Sequence, residues 1–124
     1  METHAAATLT LQIGAGPAVG VSWHIEADVF HRATLKVPAN KSVEVPLQAG
    51  GGEKILFLLI SASKFSDKLT YRLDANHPDF KLAYPQIVSG GDLMHHVSKR
   101  PAHVTFKNAS ADDVTVDVIA LRKA

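Results

Sequence analysis

His24 and Glu26 stand two positions apart inside the Val19–Val29 stretch, with Ser22 before them and Asp28 after. In an extended strand, residues two apart share a face and lie about 6.5–7 Å apart. An imidazole and a carboxylate so placed could both reach one cation. A transition-metal site needs a third and fourth ligand from a neighbouring strand, and His103 has the outward parity to supply one. His24, Glu26 and His103 are therefore the candidate metal ligands, and a metal-dependent reaction is the chemistry they would serve. The competing reading is that Ser22, His24, Glu26 and Asp28 are the wet side of an amphipathic strand. No cofactor is implied.

The His24-x-Glu26 pair resembles the His-x-His pair of the cupins, small β-barrels that bind metal with a later Glu and His. It departs from that motif at Glu26, in the absence of the surrounding glycines and in having no later Glu and His motif. The cupin site is therefore not carried over, and a small cupin-like metal-dependent enzyme is kept only as a third function. His95-His96 would point to opposite faces of a strand, so the two could share an ion only in a loop or bulge. Gly14–Gly20 and Gly50–Lys54 have the glycines of phosphate-binding loops but not the helix that must follow them. No Gly-x-Ser-x-Gly elbow and no cysteine are present, so nucleophilic catalysis has no recognisable motif. No catalytic residue is proposed. Asn108-Ala109-Ser110 matches a glycosylation sequon and reads as a turn between strands.

The elements that must carry these residues read as strands throughout. Leu9, Leu11 and Ile13 alternate with polar residues, after residues 1–7, which read as a loose tail. Val19, Val21, Trp23, Ile25, Ala27 and Val29 then alternate with small or polar residues, the pattern of a sheet with one wet face. Phe30–Arg32 reads as a corner or bulge, and Ala33, Leu35 and Val37 continue the alternation. Val43, Val45 and Leu47 form a short strand that Pro46 places at an edge or ends. Leu69–Leu73, Pro85–Ser89, Leu93–Val97, Ala102–Phe106 and Val114–Leu121 complete about ten short strands, with turn residues every 8–12 positions. The expectation is an all-β, single-domain antiparallel β-sandwich, jelly-roll-like, over residues 8–124.

Lys54–Lys64 sits at the centre of this reading. Ile55 to Ile60 are six large apolar residues in a row between charged ends. Glycines precede them and polar turn residues follow, and the run is far shorter than the ~20 residues of a membrane span. It suits a strand covered on both faces. Ile55, Phe57 and Leu59 would face one way, with Phe57 and Leu59 in the core. Leu56, Leu58 and Ile60 would face the other, towards a second layer or another subunit, and are taken as the expected interface. The end of the last strand is apolar behind as well, so Ile119 and Leu121 join the expected interface. The remaining expected core is Val21, Trp23, Ile25, Leu35, Val45, Leu73, Val104, Phe106, Val116 and Val118.

Composition narrows the function classes. Lys+Arg 13 against Asp+Glu 12 gives a formal net charge of +1, interspersed along the chain. A nucleic-acid footprint is thus not supported, and no membrane partner is expected. The seven histidines would make the chain strongly positive on protonation. Without cysteine there is no disulfide framework. The first residues lack a basic and then apolar leader pattern, so the expected location is cytoplasmic or within an assembled particle. The first function expected is a non-enzymatic structural or assembly module that pairs with itself as a homo-oligomer, a trimer being favoured. The second is a carbohydrate- or small-ligand-binding module using loops Asn76–Tyr84 and Gly90–Pro101, with Tyr84, His77 and His95 as the contact candidates.

Overall fold

The computed structural model describes residues 3–47, 54–73, 78–90, 93–94 and 103–123. Among them are ten strands: β1 Thr3–Leu11, β2 Val19–Ala27, β3 Val29–Val37, β4 Ser42–Pro46, β5 Lys54–Ala62, β6 Leu69–Arg72, β7 Phe80–Lys81, β8 Gln86–Ser89, β9 His103–Asn108 and β10 Val114–Lys123. All neighbouring strands pair antiparallel. They form two four-stranded sheets, ordered β3-β10-β5-β8 and β4-β9-β6-β7, and a separate β1-β2 hairpin. The fold is an all-β sandwich.

Period-2 alternation explains how the two sheets meet. Val114, Val116, Val118 and Ala120 point inward from β10, and Leu58 and Ile60 from β5. They pack against Val45 of β4, Val104 and Phe106 of β9, and Leu69 and Tyr71 of β6. Val116, Val118, Ile60, Val104 and Phe106 are fully buried. Burying each such side chain stabilises the fold by roughly 1.5–3 kcal/mol. Leu35, Val45, Leu73, Val104, Phe106, Val116 and Val118 thus lie in or against this core, as their alternation implies. β4 is an edge strand and ends at Pro46, both of which that proline allows.

Several elements differ from the expectation. Thr3–Ala7 is the first half of β1, paired residue by residue with β2 from Thr3↔Ala27 to Ala7↔Trp23, and not a loose tail. The long second strand breaks at Asp28, and Phe30–Arg32 lies within β3 rather than at a corner. Leu93 and Met94 are helical instead of extended, with Met94 N–H donating to Gly90 O at 3.0 Å. Val21 is 53% exposed and belongs to no core. Phe57 and Leu59 do not face the inter-sheet core; Leu58 and Ile60 do. Alternation fixes that β5 has two apolar faces but not which one meets which layer.

Two polar side chains tie elements together inside the sandwich. Asn108, 1% exposed, donates from Nδ2 to Val37 O at 3.1 Å and to Asp112 O at 2.8 Å. Its Oδ1 accepts from Ser110 N–H and Ser110 Oγ–H, at 3.0 and 2.6 Å. The Asn108–Ser110 sequence is therefore a turn whose amide is consumed in joining the end of β9, the loop before β10 and the end of β3. Tyr71 Oη donates to Gln86 Oε1 at 3.0 Å, linking β6 of one sheet to β8 of the other. Burial pushes the Tyr71 phenol up to about 12.

Replacing Asn108 with Ala leaves the buried Val37 carbonyl without this donor and Ser110 N–H without its acceptor, and is expected to lower stability by about 1–3 kcal/mol, read as a lower urea midpoint at unchanged slope. Because the Tyr71 pKa is raised by folding, its neutral form contributes stability that is whole below pH ~10 and lost as pH rises to about 12. Spectrophotometric titration should show one of the two tyrosines ionising only near that upper limit, and Tyr71→Phe should abolish that step.

Candidate functional site

The functional question is what covers the second apolar face of β5. The outer face of its sheet is divided by composition. One half carries Ile87 and Ser89 from β8, Phe57 and Leu59 from β5, Ile119 and Leu121 from β10, and Phe30 from β3. The other half carries Ser61, Asp117, Thr34 and Arg32. There Arg32 Nε and Nη2 donate to Asp117 at 3.1 and 2.8 Å, and Thr34 Oγ1 donates at 3.1 Å. The Arg32 hydrogen bond holds the Asp117 carboxyl below the usual carboxylate range.

The β1-β2 hairpin lies across the apolar half. Ile25, Ala27, Phe57 and Leu121 form a second buried cluster, with Ala5, Ala7, Trp23, Leu56 and Leu59 packed against it. At the hairpin base, Asp28 N–H donates to Arg122 O of β10 at 2.8 Å. Further out, Trp23 Nε1–H donates to Ser89 Oγ of edge strand β8 at 2.9 Å. The anchors therefore run from β10 over β5 to β8, so the hairpin crosses the sheet strands rather than following one. A register shift assists it. Leu121 pairs with Phe57 and Arg122 with Ile55, so Leu56 is an extra residue. The bulge returns Ile55 to the inter-sheet core while Leu56 and Phe57 both pack towards the hairpin.

The cover is incomplete. Beside β1, a groove of about 550 Å³ runs between its His4–Leu9 segment and a floor that includes Leu59, Ile87 and Ile119. Beyond Trp23 the hairpin continues with the same alternation, and among the described residues no buried cluster includes it. Leu9 pairs with Val21 and Leu11 with Val19, and these are 49%, 53%, 59% and 70% exposed in the order Leu9, Val21, Leu11, Val19. Ile13, at the turn closed by Gly16 N–H to Ile13 O, is 78% exposed. Gly14, at φ 60°, supplies the left-handed residue of that turn. The Gly14–Gly20 segment thus makes a hairpin turn; Gly50–Gly52 lie outside the described residues.

The residues expected to act are scattered or enclosed. His24 and Glu26 are exposed on the hairpin's outer face. His103 is on β9 in the opposite sheet, where Nε2 lies 3.5 Å from Glu44 Oε1. The expected metal set is not brought together, and among the described residues no three His, Asp or Glu side chains are placed to hold a metal ion. Leu58 and Ile60 lie in the inter-sheet core, and Leu121 is buried beneath the hairpin. Leu56 packs there too, whereas Ile119 lines the groove. Tyr84 is 74% exposed; His77, His95 and His96 lie outside the described residues. Leu9 and Leu11, and separately Val19 and Val21, were legible as the apolar sides of two strands, but no signal in the alternation pairs them or says how much of them the sheet can cover.

Fold and surface together define an all-β sandwich carrying a part-docked hairpin arm. Compared with protein-family models, curated proteins and solved structures, the chain matches none.

Phe57→Ala is expected to cost about 3 kcal/mol through the cavity it leaves under the hairpin. It should also shift the emission of Trp23, the one tryptophan of the chain, to longer wavelength. Glu26→Ala, on the outer face of the same hairpin, should change neither quantity.

Proposed function

We propose that this protein is a non-enzymatic assembly module that works as a homo-oligomer through its hairpin arm. One observation carries the reading: the arm's apolar face runs on past the sheet that covers its base, leaving Leu9, Leu11, Ile13, Val19 and Val21 between 49% and 78% exposed. Covering what remains exposed on these five side chains is worth roughly 5–8 kcal/mol per copy. Supplied twice in a reciprocal contact, that is comparable with the roughly 4–15 kcal/mol that association costs. A contiguous apolar strip of this kind marks an interaction surface more often than a solvated one.

The strand order supports a jelly-roll reading of the sandwich. From β3 to β10 the chain changes sheet at every connection except β6 to β7. Jelly rolls serve capsid subunits and lectins alike, so the fold is compatible with assembly without specifying it. The second reading, a small-ligand module, is favoured by the groove beside β1, whose volume of about 550 Å³ lies in the range of ligand sites. Its apolar lining suits a hydrophobic ligand better than a glycan.

Light scattering at tens of micromolar is expected to give a mass above that of one 13.3 kDa chain. The Leu11→Asp/Val19→Asp variant should run as a monomer with its thermal midpoint within a few degrees of the parent, since neither side chain belongs to a buried cluster. A monomeric parent protein would remove the assembly reading.

A further inference from the structure

The edges of the sheets are not equally protected. β3 carries Arg32 and Lys36, β4 carries Glu44 and Pro46, and β2 carries Glu26. β7 has two residues, one of them Lys81, and β8 has four and follows Pro85. Charges, prolines and short length are the usual means of stopping an edge from accepting another strand. β1 has none of them. It is nine residues long, contains no Asp, Glu, Lys, Arg or Pro, and pairs with β2 in an unbroken register, and among the described strands the sheet it belongs to holds β1 and β2 alone.

The groove lies along the other edge of β1. Its floor is the row Ile87, Leu59 and Ile119, joined by Phe57 and Leu121 of the adjacent row, which the hairpin partly covers. Rows of outward side chains along a strand are about 6.5–7 Å apart, and a strand added to β1 would lie about 4.8 Å away. The groove is thus the slot for one further strand, with apolar residues on its lower side.

We propose that the occupant is β1 of a second copy, paired antiparallel to β1 about a twofold axis through Leu9. This rests on the assembly reading above and specifies its geometry. With Leu9 opposite its own copy, Leu11 falls opposite Ala7 of the second copy and Ile13 reaches Ala5. The large side chains exposed at one arm's tip then meet the small ones at the other arm's base, over the floor of Leu59, Ile119 and Ile87. Because each tip extends beyond edge strand β8, this pairing puts the two sandwiches towards opposite ends of the paired arms. A four-stranded β2-β1-β1-β2 layer results, closed by its own symmetry. The contact covers a band about 30 Å long, or roughly 1,000 Å² over both copies, at the lower limit of specific interfaces. An exchange of this type joins arms in pairs, so it gives even-numbered assemblies in place of the trimer the sequence suggests.

The native chain has no cysteine, so engineered pairs report cleanly. Thr8 and Thr10 are exposed on the arm's outer face and would stand opposite each other across the axis. Directly opposed strand residues have Cα atoms about 4.5–5.5 Å apart, within disulfide reach. Mild oxidation should convert Thr8→Cys/Thr10→Cys to a covalent dimer. The control Ser22→Cys/His24→Cys, on the same face of β2, should give at least about tenfold less, its copies being about 14 Å apart. If light scattering gives an oligomer but the β1 pair fails to cross-link, cross-links no better than the control, or gives a trimeric parent mass, this pairing is wrong and the assembly reading stands. A monomeric parent removes both, and one whose groove takes up an apolar fluorescent probe points to a hydrophobic ligand as the occupant.

Discussion

The whole structure depends on one strand that cannot be left wet on either side. β5 carries Ile55 to Ile60 without a polar residue, so both faces of its sheet must be roofed. The second sheet roofs one face through Val104, Phe106, Leu69 and Tyr71. The hairpin roofs the other through Ile25, Ala27 and Trp23. The bulge at Leu56 is where these two demands meet. It gives Ile55 to the inner core and adds Leu56 to the outer cluster, which strict alternation could not do together.

The hairpin itself is a compromise between docking and reach. A two-stranded hairpin is marginal in water unless its apolar face is packed. Here only the base is packed, held at Asp28–Arg122 and at Trp23–Ser89. The sheet beneath it stops being apolar at the Ser61–Asp117–Thr34 row in one direction and ends at β8 in the other. The same alternation that docks Ala7, Trp23 and Ile25 therefore leaves Leu9, Leu11, Val19 and Val21 in solvent. An arm built in this way supplies both the exposed side chains and, beside β1, the groove that could accept them.

Much of the fold was legible because period-2 alternation is a local property. The inward residues of β9 and β10, the edge position of Pro46, the turn at Asn108–Ser110 and the double burial of β5 all follow from residue type and spacing. Parity across β5 was not legible. Ile55–Ile60 has equally apolar faces, so nothing in the run distinguishes Leu58 and Ile60, which enter the sandwich, from Phe57 and Leu59, which face the hairpin. The metal candidates failed for a related reason. His24, Glu26 and His103 share an outward parity, yet outward means opposite sides of the molecule for β2 and β9.

The sequence alone determined that this is an all-β chain with a strand needing cover on both faces, because apolar spacing acts over a few residues whatever lies beyond. It also determined that β10 is apolar behind only at its end, through Ile119 and Leu121. Only the tertiary structure decided what supplies the cover. Residues that read as a tail, Thr3–Ala7, turn out to be half of the roof. Which strand lies over which face is set by competition among all apolar surfaces for a limited area, and that competition has no signature in any single stretch of chain.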